Sequence, residues 1–289
     1  MKFNILNKIL IIFTLITFTL IGCDQTPSFT TKPEDTQNDF LNPEIDTQDD
    51  IYNSTIMQRL LSAKNNFQLI EPLINEIEIR TKVQNNMHLI VKHKNNTEED
   101  GQYGMEWKAF KFLKNAHNNK NLNSIENKPL RRLLYSSLDW QKDILIKFGT
   151  IFNKIEQYEG THQTNNNAKH HLTKMIFAAG TEHVQATFEN ITDTIYNEKD
   201  NLHKFTNQEL KKIKAALDQI DNIRHKWQEM IIELIAQHDA NYNDIQNNDQ
   251  KLINHIFSKY HTTLEKEIPM IQVSAQDIKN ILKQYITNN

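Results

Sequence analysis

From Ile56 to the end of the chain, apolar residues recur every three or four positions with polar residues between them. This spacing places the apolar side chains on one side of an α-helix, so the pattern predicts a series of amphipathic helices. In chain order, the predicted helices cover residues 56–77, 105–113, 129–155 as two helices or one bent helix, 172–195, 207–234, 252–264 and 275–285. The predicted loops are the polar stretches 95–101, 117–128 and 161–167.

Prolines and a capping sequence mark the expected helix ends. Pro72 is expected to kink or split the first helix, because proline cannot donate the backbone hydrogen bond of a helix interior. Pro129 suits the first position of a helix, and Pro269 is expected to separate the last two helices. Thr206 and Glu209 form a capping box ahead of the longest apolar stripe.

The stripe from Leu210 to Leu234 is compatible with two arrangements. It predicts either a coiled-coil seam between two chains or one face of a bundle within a single chain. The second is favoured, since the other segments also carry apolar faces that need partners. The last predicted helix, which starts at Ala275, has about 13 residues and a length of about 20 Å. So short an element packs on its own chain more readily than on a second copy, and we therefore expect a monomer.

The composition agrees with a helical fold. The 289 residues include only six glycines and six prolines, whereas many folds built from sheets and turns need more of both. The sequence therefore predicts an all-α protein, with residues 56–289 forming a single-domain bundle of about five to seven helices.

The N-terminus has the pattern of a lipoprotein signal. Two lysines precede an uncharged run at residues 9–21, and a Leu-Ile-Gly-Cys lipobox closes it at Cys23. The run has about 13 residues, short of the roughly 20 that cross a bilayer, so a cleaved signal is favoured over a transmembrane anchor. We predict that residues 1–22 are a signal peptide and that cleavage falls between Gly22 and Cys23.

Cys23 is the only cysteine in the sequence. Acylation explains a single cysteine in an exported protein, and it leaves no thiol for a disulfide, a metal site or nucleophilic catalysis. Two or more acyl chains anchor a protein stably to a membrane. Cys23 is therefore the predicted lipidation site and the membrane attachment point.

Charge is unevenly distributed along the chain. Residues 24–55 hold eight acidic residues against one basic residue, Lys32, and their scattered apolar side chains are too few to form a core. Residues 23–55 are therefore predicted to be a lipidated, flexible acidic tether. Residues 56–289 hold 30 Lys and Arg against 28 Asp and Glu, which argues against nucleic acid as a partner.

Candidates for catalysis or metal binding are few. Asp221, His225 and Glu229 lie one helical turn apart on the face away from Trp227, a spacing that suits metal ligands and equally any solvated helix face. The zinc-protease pair H-E-x-x-H, the nucleophile elbow and the phosphate-binding glycine loops are absent from the sequence. We therefore expect no catalytic residue, no cofactor and no metal, and the protein is not expected to be an enzyme.

Other polar and aromatic residues are interpreted structurally. Three short basic clusters, which we interpret as ordinary solvated surface because the overall charge is balanced, are Lys108 with Lys111, Arg131 with Arg132, and Lys211 with Lys212. Trp107, Trp140 and Trp227 are predicted to lie in the core.

Two motifs are shared with a known family. They are Gln-Tyr-Gly-Met at residues 102–105, and Tyr-Ser-Ser-Leu-Asp-Trp at 135–140 followed by Ile-Lys-Phe-Gly-Thr-Ile-Phe-Asn-Lys-Ile at 146–155. They resemble the aromatic-Gly-Met helix entry and the most typical stretch of the Borrelia outer-surface lipoproteins of paralogous family 54, the family of complement regulator-acquiring surface protein 1. The lipobox, the acidic spacer and the helical body also fit, so the resemblance covers essentially the whole chain.

The resemblance implies an α-helical bundle displayed on a spirochaete surface and used in the tick-to-mammal cycle. Some members bind complement factor H and its relatives, others are linked to plasminogen or other host factors, and others have no known ligand. Binding in the founding member depends on a dimer built through a long C-terminal helix. The short segment 275–287 departs from that pattern, which argues against both dimerisation and factor H binding.

We therefore expect a non-enzymatic lipoprotein, anchored in the outer membrane through Cys23 and exposed at the cell surface, that binds a host serum or tissue protein such as factor H, plasminogen or another component. One alternative is a direct binder of factor H family regulators that gives serum resistance. The other is a structural or periplasmic lipoprotein without a host ligand.

Overall fold

The computed structural model describes residues 67–157 and 163–286, together with positions 55, 58 and 59. The predicted signal peptide, Cys23 and residues 23–54 of the predicted tether lie outside the described residues. The α-helices are α1 (Phe67–Asn95), α2 (Ala109–Phe112), α3 (Lys128–Ser137), α4 (Lys142–Gln157), α5 (Gln163–Ala178), α6 (Ala186–Asn197), α7 (Asn207–Asp239), α8 (Asp249–Thr263) and α9 (Glu267–Ile286). Within the described residues there is no β-strand, and the predicted all-α bundle is confirmed.

The helix count differs from the expected five to seven, since the described part of the chain contains nine α-helices. One of them, α2, is a single turn of four residues. The stretch 129–155 divides into α3 and α4 at a turn in which Asp139 and Trp140 have positive φ angles. Such turns leave the apolar periodicity nearly intact, so the sequence pattern did not distinguish two helices from one bent helix there.

Helix α7 lies at the centre of the bundle and packs against α1, α4, α6 and α9. The buried side chains of its stripe are Leu210, Ile213, Leu217, Ile220, Trp227, Ile231 and Leu234. They belong to one continuous apolar core that includes residues of all the other α-helices. The interpretation of the stripe as one face of an intramolecular bundle is therefore confirmed, while the monomeric state stays a prediction.

Several predicted boundaries are wrong. The apolar pattern ends the first helix near Ile77, whereas α1 continues to Asn95. Pro72 does not split this helix; proline costs one backbone hydrogen bond, and the packing of α1 on α6 and α7 offsets that loss. The kink, which is the other expected outcome, stays a prediction.

The loop predicted at 161–167 is helical from Gln163 onward, since helix propensity is a weak prior for a run of asparagines that leads into a packed helix. The helix before Pro269 ends at Thr263, as predicted, but α9 begins at Glu267 and contains Pro269 in its first turn, where the missing N–H costs little.

The last helix is consequently longer than the sequence pattern predicted. α9 has 20 residues, against about 13 expected, and Ser274 lies inside it rather than at its N-terminus. Ser274 donates a hydrogen bond of 2.8 Å to Gln219 of α7, and Lys226 of α7 pairs with Glu267. The helix packs along α7 and α6 of its own chain, but its length contradicts the argument against dimerisation that rests on a short last helix.

The start of α7 is the predicted capping box. Thr206 Oγ1 accepts the backbone N–H of Glu209 at 3.3 Å, and the Glu209 carboxylate accepts the backbone N–H of Thr206 at 2.8 Å. The same carboxylate accepts the hydroxyl of Tyr285 at 2.8 Å. The cap of α7 thus also fastens the C-terminal turn of α9.

Thr206→Ala is expected to lower the free energy of unfolding by about 1 kcal/mol, because the N–H of Glu209 loses its acceptor at the helix N-terminus. Urea denaturation followed by circular dichroism measures the change. Thr262→Ala is the matched control, since Thr262 lies inside α8 and donates only to the preceding turn. Equal losses in both variants would contradict the capping role.

Helices α5 and α6 are joined by a π-helical segment, Ala179–Gln185. The sequence pattern predicts one continuous helical stretch over 172–195, and the chain is helical throughout it. The π-helical turn sets Gly180 directly against the indole of Trp227. No described helix combines the length and the apolar character required to span a membrane.

Candidate functional site

The three residues considered as metal ligands do not converge. Asp221 pairs with Lys82 of α1 at 2.6 Å, whereas His225 and Glu229 are exposed to solvent. In the ranges that the structure describes, no group of three or more His, Cys, Asp or Glu side chains is arranged to hold a metal ion. The spacing on α7 is that of a solvated helix face.

The predicted burial of the tryptophans is right for two and wrong for the third. Trp227 is fully buried, and Trp140 packs partly buried against the core. Trp107 is 70% exposed. It precedes the single turn α2, whose buried positions are taken by Ala109 and Phe110, so no core position remains for the indole.

Trp107 belongs to a group of exposed apolar side chains on the segment between α1 and α3. Phe112 is 52% exposed and Ile125 is 73% exposed on the same segment. Single exposed apolar residues are common on protein surfaces, whereas several large ones on one segment are typical of an interaction site. We define the loop face as Trp107, Phe112 and Ile125 with the exposed lysines that form no described ion pair, Lys108, Lys111 and Lys114 of this segment and Lys128 at the start of α3.

Backbone hydrogen bonds hold residues 110–113 of this segment against residues 122–123. The N–H of Leu122 donates to the carbonyl of Leu113 at 2.8 Å, and the N–H of Asn123 donates to the carbonyl of Phe110 at 3.1 Å. Phe112 and Ile125 are each two residues from the second of these bonds. The reach of the chain therefore keeps their Cα atoms within about 20 Å of each other.

Arg131 of α3 holds the segment to the bundle. Its guanidinium forms two parallel hydrogen bonds with the Glu98 carboxylate, at 2.7 and 2.8 Å, and donates to the carbonyl of Ser124 at 2.7 Å. The Arg131 side chain is only 2% exposed, so its interpretation as solvated surface is wrong, because the pairing with Glu98 allows the charge to be buried. Glu98 also accepts the hydroxyl of Tyr135 at 2.6 Å, and burial beside this carboxylate raises the pKa of Tyr135.

Two buried asparagines also hold this segment to the bundle. Asn153 of α4 accepts the N–H of Ala109 at 3.0 Å and donates to the carbonyl of Gly104 at 2.9 Å. Asn127 donates to the carbonyl of Asn121 at 2.8 Å and accepts the Asn115 amide at 2.7 Å. Binding residues are often found on loops that a rigid scaffold holds in place, and this segment has that arrangement.

The predicted helix-entry turn is more unusual than its sequence suggests. All four residues from Gly101 to Gly104 have positive φ angles, between 51° and 82°. The carbonyl of Tyr103 lies so close to Gly149 of α4 that a Cβ there would approach it to 2.8 Å. Gly149, in the motif shared with the family, thus permits the close contact between α4 and this turn.

A buried polar cluster lies below the turn between α3 and α4. Asp139 pairs with Arg224 of α7 and accepts the Gln228 amide at 3.0 Å. Arg224 also donates to Gln185 of the π-helical segment at 3.1 Å. His93, at the end of α1, is 1% exposed, and its Nε2 lies 3.5 Å from the Asp139 carboxylate.

Burial is the main cause that lowers the pKa of His93 from 6.5 to about 4; the charges of Arg224 and Lys92 act in the same direction, and those of Asp139 and Glu189 oppose it. Between pH 6.5 and 4 the unfolded chain therefore binds a proton that the folded protein excludes, and stability falls as the pH falls through this window. The expected loss is about 2 kcal/mol after allowance for solvent screening.

The free energy of unfolding, measured by urea denaturation at several pH values, should fall between pH 7 and pH 4. His93→Gln is expected to reduce the slope of this fall. Part of the slope should remain, because burial also lowers the pKa values of His238 and His255. His88→Gln, at an exposed position of α1, should keep the slope of the unmodified protein. An unchanged slope in His93→Gln would exclude His93 as its source.

A small cleft opens beside the loop face, with a volume of about 150 Å³. Its apolar lining comes from Leu113, Leu122, Leu130 and Phe177, and Lys114, Lys174 and Glu182 are the charged residues in its wall. The cleft thus lies between helix α5 and the segment that connects α1 to α3.

Comparison with known proteins decides the family. A family model described as Borrelia Bbcrasp-1 domain containing protein matches residues 92–283. The chain belongs to this Borrelia family. The matched range contains the loop face, the buried polar cluster and most of α9, and the predicted family is thereby confirmed.

Solved structures of Borrelia proteins have the same fold. BSA64 of Borrelia spielmanii, described as orthologous to BBA64 of B. burgdorferi, has a TM-score of 0.64 and 21% identity and covers 75% of this chain and 98% of its own. The outer surface protein BBA65 of B. burgdorferi has a TM-score of 0.61 and 23% identity, covering 71% and 98%. For the outer surface lipoprotein BBA64 the values are 0.62 and 21%, covering 74% and 96%. At these identities the likeness shows the fold alone, and no curated protein matches the chain.

The family stretch 135–155 has a structural role in this chain. Its first part forms the end of α3 and the turn that holds Asp139, and its second part forms most of α4. Ser137 accepts the indole N–H of Trp227 at 3.0 Å. The motif therefore supports the segment that carries the loop face rather than contributing its exposed side chains.

Proposed function

We propose that the protein is a non-enzymatic lipoprotein of the Borrelia outer surface, anchored through Cys23, and that it binds a host macromolecule through the loop face. The observation that carries the binding role is the exposure of Trp107, Phe112 and Ile125 on one firmly attached segment. Exposed apolar groups of this size mark interaction sites, and tryptophan is enriched among the residues that dominate binding energy.

Two further observations support the proposal. Solved proteins with the same fold are described as outer surface proteins or lipoproteins of Borrelia. The exposed apolar residues elsewhere in the described chain are distributed singly or in pairs over α1, α4, α7, α8, α9 and a short turn, which is ordinary for a soluble surface. No observation favours factor H over another host component.

Surface display is tested by treating intact cells with protease. The expected result is loss of the protein without loss of a periplasmic marker. Protection until the outer membrane is opened would overturn surface display and favour a periplasmic lipoprotein. Replacing Cys23 with serine should release the protein from the membrane, because the acylated thiol is absent.

Host binding is tested with the full chain, purified in detergent, on immobilised human factor H, plasminogen and extracellular matrix proteins. The variant Trp107→Ser, Phe112→Ser, Ile125→Ser is expected to weaken any saturable binding at least tenfold. Its control is Ile232→Ser, Phe257→Ser, Met270→Ser, which removes three exposed apolar groups from other helices. Equal affinity of both variants for the bound host protein would overturn the role of the loop face.

A further inference from the structure

The cleft beside the loop face is suited to one apolar group. Leu113, Leu122 and Phe177 are buried beneath it, and Leu130 is half-buried. A cavity of about 150 Å³ accepts a group of the size of benzene. The cleft can therefore receive a single leucine, methionine or phenylalanine side chain from a partner.

The segment that forms one side of this cleft is mainly positive. Residues 105–128 hold five lysines against two glutamates, a net charge of +3. One of these lysines, Lys120, is paired with Glu126. The other four lie on the loop face and form no ion pair with any residue that the structure describes; they are Lys108, Lys111, Lys114 and Lys128.

The wall of the cleft also carries more basic than acidic residues. Lys114 and Lys174 are both exposed there and lack an ion pair within the described ranges. The acidic residue of the wall, Glu182, faces His117 at 3.7 Å. An apolar floor with available ammonium groups beside it is complementary to an apolar side chain flanked by carboxylates.

We propose that the loop face binds an acidic polypeptide segment of its partner, with one apolar side chain of that segment inserted in the cleft lined by Leu113, Leu122, Leu130 and Phe177 and its carboxylates paired with Lys114, Lys174 and the lysines of the loop face. This inference rests on the proposed function and specifies the chemistry of the partner. A sulfated polysaccharide could pair with the lysines, but it carries no apolar side chain for the cleft or for the exposed Trp107.

The lysines and the apolar cleft contribute to binding in different ways. Exposed lysines are screened by salt, so they mainly accelerate association and select for acidic partners. Burying one apolar side chain supplies affinity, which corresponds to at least a tenfold change in Kd. Removing either part should therefore weaken binding, and only the lysine contribution should decrease strongly with added salt.

The test uses the full chain in detergent and fluorescence anisotropy with labelled synthetic peptides of about 12 residues. One peptide has a central leucine flanked by aspartates and glutamates, the second has asparagine in place of the leucine, and the third has amides in place of the carboxylates. The first is expected to bind, and the others at least tenfold more weakly. A labelled heparin fragment is measured in parallel.

Substitutions separate the contribution of the lysines from that of the cleft. Lys114→Ser with Lys174→Ser is expected to weaken binding of the first peptide about tenfold at low salt. Lys212→Ser with Lys279→Ser, at exposed positions on α7 and α9, is the control and should leave the affinity unchanged. Ala116→Phe, at an exposed position of the cleft wall, should fill the cleft and abolish the preference for leucine over asparagine.

Three results would overturn the proposal. They are equal affinity for the leucine and asparagine peptides, binding of heparin without binding of the peptides, and no binding by a protein whose circular dichroism shows the folded state. If the peptides fail while the substitution of Trp107, Phe112 and Ile125 still weakens binding to a host protein, the proposed function stands and only the acidic partner is excluded.

Discussion

Arg131→Met is expected to lower the free energy of unfolding by about 3–5 kcal/mol, because it leaves the buried Glu98 carboxylate without its partner. The guanidinium forms two hydrogen bonds with Glu98 and others with the carbonyls of Leu122 and Ser124. A methionine fills part of the volume but donates none of them. Urea denaturation followed by circular dichroism gives the change.

A neighbouring ion pair supplies the control. Lys142 pairs with Glu99 at 2.8 Å, but their side chains are 61% and 42% exposed. Lys142→Met is therefore expected to leave the stability nearly unchanged, because solvent screens an exposed pair. Adding Glu98→Leu to Arg131→Met should restore part of the loss, since it removes the unpaired charge. A similar small effect for Arg131→Met and Lys142→Met would show that the buried pair does not hold the segment.

Gly180→Ala is the second substitution with a large expected effect. A Cβ at this position would lie 2.4 Å from Cζ2 of Trp227, whose side chain is completely buried and hydrogen-bonded to Ser137. Overpacking of this kind costs about 3 kcal/mol. In a helix without the clash, the same replacement would stabilise the protein by about 1 kcal/mol, so even the sign of the result is informative.

Trp227→Phe tests the origin of that cost. The smaller ring removes the atoms that a Cβ at Gly180 would meet, so the double variant should lose less stability than the two single losses added together. Strict additivity would show that the glycine is needed for the π-helical backbone rather than for contact with the indole. Thermal and urea denaturation of the unmodified protein, the two single variants and the double variant completes this double-mutant cycle.

Most of the helices could be predicted from the sequence because their signals are local. The capping box at Thr206 and the stripe from Leu210 to Leu234 specify α7 through contacts within a few residues, and the structure has both. Boundaries were harder to predict where a local signal competes with packing. Pro269 and the asparagine run before residue 168 both indicate a break, and both lie in helices that pack on the bundle.

The candidate site could be predicted only in part. The sequence shows Lys108 and Lys111 as a basic cluster that is typical of ordinary surface, and it predicts Trp107 in the core. Their significance depends on Ile125, which follows a turn that folds back on Phe110. The apolar pattern around Trp107 resembles that of a buried helix, so no signal in one sequence would have distinguished the two outcomes.

By itself, the sequence determined the helical class of the fold, the family and the predicted lipid attachment at Cys23, because apolar periodicity, shared motifs and a lipobox are all read from neighbouring residues. The tertiary structure alone decided which side chains remain exposed. Trp227 is buried against Gly180, and Trp107 stays exposed because Ala109 and Phe110 take the buried positions beside it. The residues that decide this are far away in the chain: Gly180 for Trp227, and Asn153, which binds the backbone of Ala109, for the turn beside Trp107. Exposure is a property of the packed chain, and it is this property that defines the loop face.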